Sequence, residues 1–382
     1  MKYFLSILAA VAMFVNVNAQ DRSRNVWCFG DSVELDFNSG SPVSVSGSAM
    51  SAFEGCSSVA DKTTGALLFY TDGISVWDST NNIMPSNTQS LGGGFYAATQ
   101  SALIVPVPGS TTQYYIFTVD FQGGVDFFFS GTGGVSYSII DMSLNGGLGD
   151  VLQQPQILTT PTCEKICATK MPNNAGYWLV THQYNSKKFF SYAITASGIG
   201  AAVTSNLGIT IQDQGLNGAE AIGYMKISPD GSKIAVAHDY YYHTVQVFNF
   251  NNVTGLITGN VLSDNTLSTY SLSSFTYSGP YGLSFSPNSK LLYVTAEGDS
   301  SVYQYNLAAG NSAAVLASRN VVGVATAPFA LQLAPDLKVY VIDDGTGYLD
   351  RIDNRYIFFN TEHNIYYNCW WRRYFCWSAD SW

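Results

Sequence analysis

Apolar and polar residues alternate along most of the chain, and short turn sequences interrupt the alternation. In MKISPDGSKIAVAH (225–238), Met225 and Ile227 alternate with polar neighbours before a Pro-Asp-Gly turn. A period of two predicts a β-strand with one buried face, and proline, aspartate and glycine each favour a position of a tight turn. An apolar run at 234–237 then leaves the turn. The stretch is therefore predicted to be a β-hairpin.

The same hairpin pattern recurs in LSFSPNSKLLYVTAEG (283–298) and in LQLAPDLKVYVIDDG (331–345). The turn prolines, Pro229, Pro287 and Pro335, are 58 and 48 residues apart. A repeat of about 40–50 residues with four strands is typical of a β-propeller blade. We therefore expect an all-β fold, a β-propeller of about six to seven four-stranded blades. Two β-sandwich domains would not explain the recurrence of one hairpin at this spacing.

The composition agrees with β-structure and disfavours two classes of partner. Charged residues make up 12% of the chain, against about 25% in an average soluble domain, and the chain has 25 tyrosines. Aromatic residues fit a half-buried pleated surface. The formal net charge is −10, which disfavours binding to nucleic acid or to an anionic membrane surface.

The N-terminus resembles an export signal. Lys2 precedes an apolar stretch at 3–15, and Val17-Asn18-Ala19 has the small residues of a cleavage site. This stretch is too short for a spanning helix, which needs about 20 apolar residues. We therefore expect a signal peptide at 1–19, cleavage near Ala19, and a mature chain without a transmembrane segment. The mature protein is predicted to be secreted or at the cell surface.

The six cysteines could oxidise after export. Cys28 with Cys56 is a candidate disulfide, although spacing cannot establish the pairing. Cys163 and Cys167 form an isolated C-x3-C with no second pair at a finger-like distance, so the spacing does not indicate a zinc finger.

Several stretches carry a family resemblance; they lie at 27–43, 54–86, 99–120, 136–151, 227–238 and 347–354. These stretches are similar to the secreted, WD40-like β-propeller regions of large surface proteins from gliding bacteria, in which a C-terminal sorting domain often follows. The sequences IIDMSLNGGLGDV and LLFYTDGISVW are the more specific of them. The resemblance covers most of residues 25–354. It implies an extracellular propeller used for surface display or recognition, with no catalytic residues to transfer to this chain.

The chain departs from that family in its cysteines and in its tail. Cys28 stands where an aromatic residue is expected, and Cys163 and Cys167 are unexpected in their strand. The propeller region is therefore placed at 20–354, and the tail at 355–382 holds four of the seven tryptophans and two of the six cysteines.

Two interpretations of this tail are open. It is either an aromatic membrane-docking or binding segment, with Arg372 and Arg373 at lipid headgroups, or a segment that departs from the family's reading frame or is cut short. We favour the second interpretation. It predicts a poorly ordered tail, an incomplete last blade, and N-terminal strands near Val26–Phe37 that close the ring.

Candidate catalytic and metal-binding residues are few. The chain contains no G-x-S-x-G motif and four histidines. His182 is predicted to end a strand and to face solvent or a neighbouring blade, and His363 lies in the tail. His238, Asp239 and His243 share the loop HDYYYH and are the candidates for a calcium or zinc ion.

That loop also contains the candidate aromatic contacts. A metal site takes three or four protein ligands, so two histidines and one acid favour a polar hairpin tip, and no metal or other cofactor is expected. Tyr240, Tyr241 and Tyr242 are predicted to be exposed at a blade edge. There they could contact a glycan or a protein partner by stacking.

Two functions of different classes follow. The first is a non-catalytic recognition module that binds a protein or glycan partner outside the cell through loops at one end of the ring. The alternative is a metal-dependent lactonase or esterase. It requires three or more acidic or amide side chains that converge on the central channel and hold an ion that activates water.

Overall fold

A computed structural model of the chain describes residues 21–45, 47–87, 91–95, 97–122, 133–214, 218–239, 241–267, 279–296, 300–343, 348–354 and 357–359. The predicted signal peptide, 1–19, lies outside the described residues. So does the tail, 355–382, except for Ile357–Phe359. Among the described residues, no helix has both the length and the apolar composition to cross a bilayer.

The described strands form seven antiparallel sheets that follow one another along the chain. The first two sheets have three strands each: β1 (Val26–Phe29), β2 (Val33–Asp36) and β3 (Val43–Ser44) form blade 1, and β4 (Ser57–Ala60), β5 (Leu67–Thr71) and β6 (Val76–Asp78) form blade 2. Blade 3 contains β7 (Ala102–Pro106), β8 (Gln113–Val119), β9 (Val135–Asp141) and β10 (Asp150–Thr159). Blade 4 contains β11 (Thr162–Lys170), β12 (Tyr177–Gln183), β13 (Ser186–Thr195) and β14 (Gly198–Ile211).

The remaining three sheets also have four strands each. Blade 5 contains β15 (Met225–Ile227), β16 (Lys233–His238), β17 (Thr244–Phe250) and β18 (Ile257–Asp264). Blade 6 contains β19 (Pro280–Phe285), β20 (Leu291–Ala296), β21 (Ser301–Asn306) and β22 (Asn320–Val324), with the short helix α1 (Ser312–Ala317) before its last strand. Blade 7 contains β23 (Pro328–Leu333), β24 (Val339–Asp343), β25 (Tyr348–Asn354) and β26 (Ile357–Phe359).

The seven sheets form a β-propeller, as the repeats predict. The first strand of each blade is innermost and contacts the first strand of the next blade. The ring closes where Tyr340 of blade 7 meets the rings of Trp27 and Phe37 of blade 1 edge-on, with ring centroids 6.0 and 5.9 Å apart. N-terminal residues therefore do close the ring, as a separate first blade.

The strand counts differ from the prediction of an incomplete last blade. Blade 7 has four strands in the structure, whereas the two N-terminal blades have three. In blade 2 the chain beyond β6 makes a single bridge, Trp77 to Ile83. It then forms a short 3-10 turn, Pro85–Asn87, so a turn lies where a fourth strand would lie.

Apolar faces of neighbouring blades bury one another. Between blades 4 and 5, Phe189 meets Phe248 edge-on at 5.9 Å, and Val180, Ile234 and Val236 are fully buried in the same cluster. Because neighbouring sheets cover both faces of a blade, its middle strands are apolar on both sides, as in the fully buried run at 234–237.

The three repeated hairpin turns have one conformation. In each, the third turn residue adopts a left-handed backbone: Gly231 at φ 68°, Ser289 at 58° and Leu337 at 64°. Each of these residues also donates its N–H to a carbonyl three residues back, at 2.8, 2.8 and 2.9 Å. Glycine accepts this conformation without strain, whereas a leucine pays for the contact of its Cβ with the backbone. The turns lie at the ends of the first strands, on what we call the lower face.

Leu337→Gly is expected to raise the free energy of unfolding by about 1 kcal/mol, because it removes left-handed strain that exceeds the added entropy of the unfolded chain. Leu337 is 65% exposed, so little packing is lost. Urea denaturation of both proteins measures the difference. Gly231→Ala is the matched control and should destabilise the protein. A Leu337→Gly variant with unchanged or lower stability would show that this turn is not strained.

Candidate functional site

Two regions contain the polar side chains that could serve a function. One is the central channel and its upper end, where the first strands of the blades begin. The other is a groove on the lower face.

The middle of the channel is crossed by polar side chains. The amide of Gln100, before blade 3, donates to the carbonyl of Met225 at 3.2 Å and accepts from the N–H groups of Met225 and Ile166 at 2.9 and 3.3 Å. Lys226 of blade 5 donates from Nζ to the carbonyl of Leu331 at 3.1 Å and to Oε1 of Gln332, both in blade 7. The bonds from Gln100 to Met225 and from Lys226 to blade 7 link blades that are not adjacent in the ring.

The channel offers little room beside these links. The cavity lined by Lys226, Ser284 and Gln332 has a volume of about 20 Å³, which is the space of a single water molecule. The polar residues of the channel therefore act as struts between blades at this level.

Three carboxyl groups are buried at the upper end of the channel. Glu54 precedes β4, Glu164 lies in β11 and Asp239 follows β16, and their exposed fractions are 4%, 0% and 3%. Oε2 of Glu164 accepts from the N–H and the hydroxyl of Thr99 at 3.0 and 3.2 Å. The three acids thus approach one another from blades 2, 4 and 5, which the scattered acidic residues of the sequence did not reveal.

Burial shifts the protonation of these groups. It raises the pKa of Glu54 well above its ordinary value, and the negative charges of Glu164 and Asp239 add to this shift. Burial raises the pKa of Glu164 to about 7, although hydrogen bonds from Thr99 oppose the change. Like charges at close range cannot all ionise at low cost, so Glu54 and Glu164 retain their protons to a higher pH than exposed glutamates do.

Lys165 is the buried cation beside them. Its Nζ donates to the carbonyls of Ala221, Ile222 and Gly223 at 2.7, 2.6 and 2.8 Å. Burial lowers the pKa of Lys165 to about 8. An ammonium group has three protons to donate, so these carbonyls use all three and attach the segment before blade 5 to blade 4.

His182 lies inside the structure. It belongs to β12, is fully buried and faces blade 5, where its ring centroid lies 6.0 Å from that of His238. Of the two predicted orientations of His182, the one toward a neighbouring blade is confirmed and the one toward solvent is wrong. Nδ1 of His182 lies 3.3 Å from Sγ of Cys163.

Burial lowers the pKa of His182 to about 3 and raises that of Cys163 to about 12. Both groups are therefore neutral at physiological pH. A reactive cysteine needs its thiolate form, so the structure does not support a role of Cys163 as a nucleophile.

The candidate ion ligands His238, Asp239 and His243 lie around one loop at the end of β16. His238 ends β16 and is buried, and burial lowers its pKa well below the ordinary value. The N–H of His243 donates to the carbonyl of Asp239 at 3.2 Å, which closes the loop on itself. Within the described part of the chain, no three His, Cys, Asp or Glu side chains are arranged to hold a metal ion.

The tyrosines of the same loop differ from one another. Tyr241 is 53% exposed, as predicted. The prediction is wrong for Tyr242, which is partly buried and whose hydroxyl accepts from the N–H of Gln212 at 2.7 Å. Tyr240 lies outside the described residues.

Cys28 and Cys56 lie in the two neighbouring N-terminal blades. Sγ of Cys56 lies 3.5 Å from the carbonyl oxygen of Cys28, and both side chains are buried. In the structure both are thiols, so the predicted disulfide is not formed there.

The groove opens on the lower face with a volume of about 300 Å³. Turns that follow the first strands of blades 2, 3 and 4 form its walls, together with the chain before blade 1. The charged, hydroxyl, amide and aromatic side chains that line it include Asp21, Asp61, Lys62, Thr111, Tyr114, Lys170, Asn174 and Tyr177. Three successive blades hold these side chains, so the rigid ring determines their positions.

Two tyrosines give the groove its aromatic surface. Tyr114 is the second residue of the second strand of blade 3, and Tyr177 is the first residue of the second strand of blade 4. Both are half-buried, and the ring of Phe69 anchors Tyr114 edge-on at 5.5 Å. Burial and the nearby Asp21 raise the pKa of each tyrosine to about 12, so both phenols remain hydrogen-bond donors.

The charges of the groove balance. Asp21 and Lys170 form an ion pair at 2.9 Å. Burial opposes ionisation of Asp21, but hydrogen bonds from Ser23 and Lys170 outweigh it and lower its pKa. Asp61 accepts from the N–H of Thr64 at 2.7 Å, and this bond chiefly lowers the pKa of Asp61, with a smaller effect of Lys62.

Sequence reasoning did not single out the groove. Its tyrosines stand in QYYIFTVD and GYWLVT, where they resemble ordinary strand residues. The available signal was an aromatic residue at the start of the second strand in two consecutive blades. That signal acquires meaning only when the two blades are placed side by side.

No family model matches the chain, and neither does any curated protein. Among solved structures, a putative 6-phosphogluconolactonase from Bacteroides uniformis is similar, at 12% identity over 86% of this chain and 90% of that chain, with a TM-score of 0.51. A virginiamycin B lyase from Staphylococcus aureus matches at 10% identity over 82% and 83% of the two chains, with a TM-score of 0.42. Identities this low show the propeller fold alone.

The buried acids predict an unusual pH dependence. Because the folded pKa of Glu164, about 7, exceeds its ordinary value of 4.5, the native state binds this proton more tightly than the unfolded state. The contribution of Glu164 to the free energy of unfolding is therefore expected to fall, by about 1–3 kcal/mol, as the pH rises from 5 to 7.5. His182 and His238, whose pKa values burial lowers, contribute in the opposite direction. Urea denaturation of the wild type and of Glu164→Gln at the two pH values therefore isolates Glu164: relative to the variant, the wild type should lose stability as the pH rises.

Asp141→Asn is the control for this experiment. Hydrogen bonds from Gln113 and Ser143 lower the pKa of Asp141 to about 2, so this group does not titrate between pH 5 and 7.5. The control should show the same change in stability between the two pH values as the wild type. A Glu164→Gln variant with that same change would mean that Glu164 does not hold the proton.

Proposed function

We propose that the protein is an exported recognition module that binds a protein or glycan partner through the lower-face groove and catalyses no reaction. The predicted signal peptide at 1–19 and the resemblance to gliding-bacteria surface proteins support a location outside the cell, secreted or at the surface. A seven-bladed ring suits this role because it holds variable turns on a rigid frame.

The observation that carries the proposal is the contrast between the two polar regions. Glu164 and Lys165 at the channel end are fully buried and bonded to the protein itself. Tyr114 and Tyr177, by contrast, retain accessible surface along an open groove of about 300 Å³. Groups that the scaffold already orders bind a ligand at a low cost in conformational entropy.

The protonation states in the groove favour binding over catalysis. General acid–base chemistry works best with a group whose pKa lies near the working pH. The pKa values of Asp21 and Asp61 are lowered, and those of Tyr114 and Tyr177 are raised to about 12. None of these four groups is therefore poised to transfer a proton at neutral pH.

The alternative function, a metal-dependent lactonase or esterase, draws on the convergence of Glu54, Glu164 and Asp239. Those carboxyl groups are buried, and within the described part of the chain no three His, Cys, Asp or Glu side chains are arranged to hold a metal ion. Elemental analysis of the purified protein separates the two functions. A stoichiometric divalent metal, whose removal abolishes lactone or ester hydrolysis, would replace the recognition proposal.

A blocking substitution tests whether the groove binds the partner. Thr111 is exposed at the groove, so Thr111→Arg should obstruct it and weaken binding at least about tenfold, or 1.4 kcal/mol. The probes are an array of bacterial and plant glycans and a displayed peptide library, with affinities measured by calorimetry. Thr258→Arg, at an exposed site on the outer strand of blade 5, is the control and should bind as the wild type does.

Two results would contradict the proposal. One is an absence of binding to both probe sets at high protein concentration, with the protein shown to be folded. The other is binding that Thr111→Arg and Thr258→Arg leave equally strong, which would place the partner elsewhere.

A further inference from the structure

We infer that the groove binds a short, uncharged saccharide, stacked against Tyr114 and Tyr177. This inference rests on the proposed function and narrows it to one class of ligand. It also moves the ligand-contact aromatics from the loop of Tyr240, Tyr241 and Tyr242 to the opposite face of the ring.

The size of the groove favours a small ligand over a protein surface. Its volume, about 300 Å³, lies at the lower end of the range of about 300–1,000 Å³ for small-molecule sites. A stable protein partner buries about 800 Å² of each surface, which calls for a broad patch. A recess between three turns fits a few sugar rings or the end of a chain.

The aromatic side chains match the two-sided chemistry of a sugar ring. A saccharide presents C–H faces as well as hydroxyl groups, and a tyrosine presents an apolar ring with a polar tip. Tyr114 is held by Phe69, and Tyr177 packs against the buried apolar cluster that contains Ile166, Ala168 and Ile194. Neither ring has to be ordered when the ligand binds, so the entropic cost of binding is low.

The remaining polar groups both donate and accept hydrogen bonds, as sugar hydroxyls do. Phenol, hydroxyl and amide groups each have both capacities, and Tyr177, Thr111 and Asn174 place one of each kind along the groove. Asn174 is exposed and stands at a left-handed turn position, with φ 54°.

The charges argue for a neutral ligand. Lys170 is paired with Asp21 at 2.9 Å, and Lys62 lies near enough to Asp61 to lower its pKa. Two lysines facing two carboxylates leave no net charge to attract a phosphate or an acidic peptide. A neutral saccharide requires no counter-charge, and it leaves both the ion pair of Asp21 and Lys170 and the proximity of Lys62 to Asp61 undisturbed.

Calorimetric titration with neutral oligosaccharides, chosen by an array of β-glucan, xylan, mannan and chitin fragments, tests the inference. Tyr177→Ala should weaken binding at least about tenfold. Tyr177→Phe keeps the ring and should lose only a few-fold in affinity. Tyr241→Ala, on the opposite face, should bind as the wild type does. Adding a uronic acid to the best ligand should not strengthen its binding.

The outcomes separate this inference from the proposed function. One outcome is that no saccharide binds, a library peptide does, and Thr111→Arg lowers the affinity for that peptide. The inferred ligand class is then wrong and the proposed recognition function stands. If neither class binds, both proposals fail. Loss of binding in Tyr241→Ala but not in Tyr177→Ala would move the site to the upper face. If Tyr177→Ala does not fold, Asn174→Ala, at an exposed turn, replaces it and should weaken binding several-fold.

Discussion

The whole molecule depends on the burial of one sheet face against the next around a closed circle. A twisted four-stranded sheet cannot cover both of its faces alone, so no blade is stable without its two neighbours. Each described sheet contains only strands that are consecutive in the chain, so among the described strands none from the N-terminus completes the last blade. Side-chain packing closes the ring instead, where Tyr340 of blade 7 meets Trp27 and Phe37 of blade 1.

That construction explains why so many polar groups are buried at the axis. The first strands of the blades converge there. Gln100 and Lys226 bridge blades that are not adjacent in the ring, and Lys165 satisfies three carbonyls of the segment before blade 5. A buried polar group is tolerated when its hydrogen bonds are satisfied. These residues resemble a functional constellation in their composition, but their contacts are those of struts.

The lower face follows a different rule. Its turns are fixed by local chemistry, since the third residue of each repeated hairpin must adopt a left-handed backbone. Between the turns of blades 2, 3 and 4 lies the groove, which holds the ion pair of Asp21 and Lys170 and two half-buried tyrosines. A rigid frame that carries such a recess is suited to binding a small neutral ligand.

The sequence by itself determined the elements and their repetition. The period of two in 225–227 and the Pro-Asp-Gly turn are local properties, because alternation and turn preference depend on residues that are near in the chain. They were enough to predict strands, hairpins and a propeller. The four-stranded last blade and the two short N-terminal blades could not be predicted, since no local pattern counts the strands that a sheet finally pairs.

Only the tertiary structure decided which side chains meet. His182 proved to be buried against His238, and Glu54, Glu164 and Asp239 came together from three blades. Tyr114 and Tyr177, 63 residues apart in the sequence, came to line one groove. Such contacts depend on the angle between neighbouring sheets and on the closure of the ring. Those are properties of the assembled circle, and no single stretch of the chain contains them.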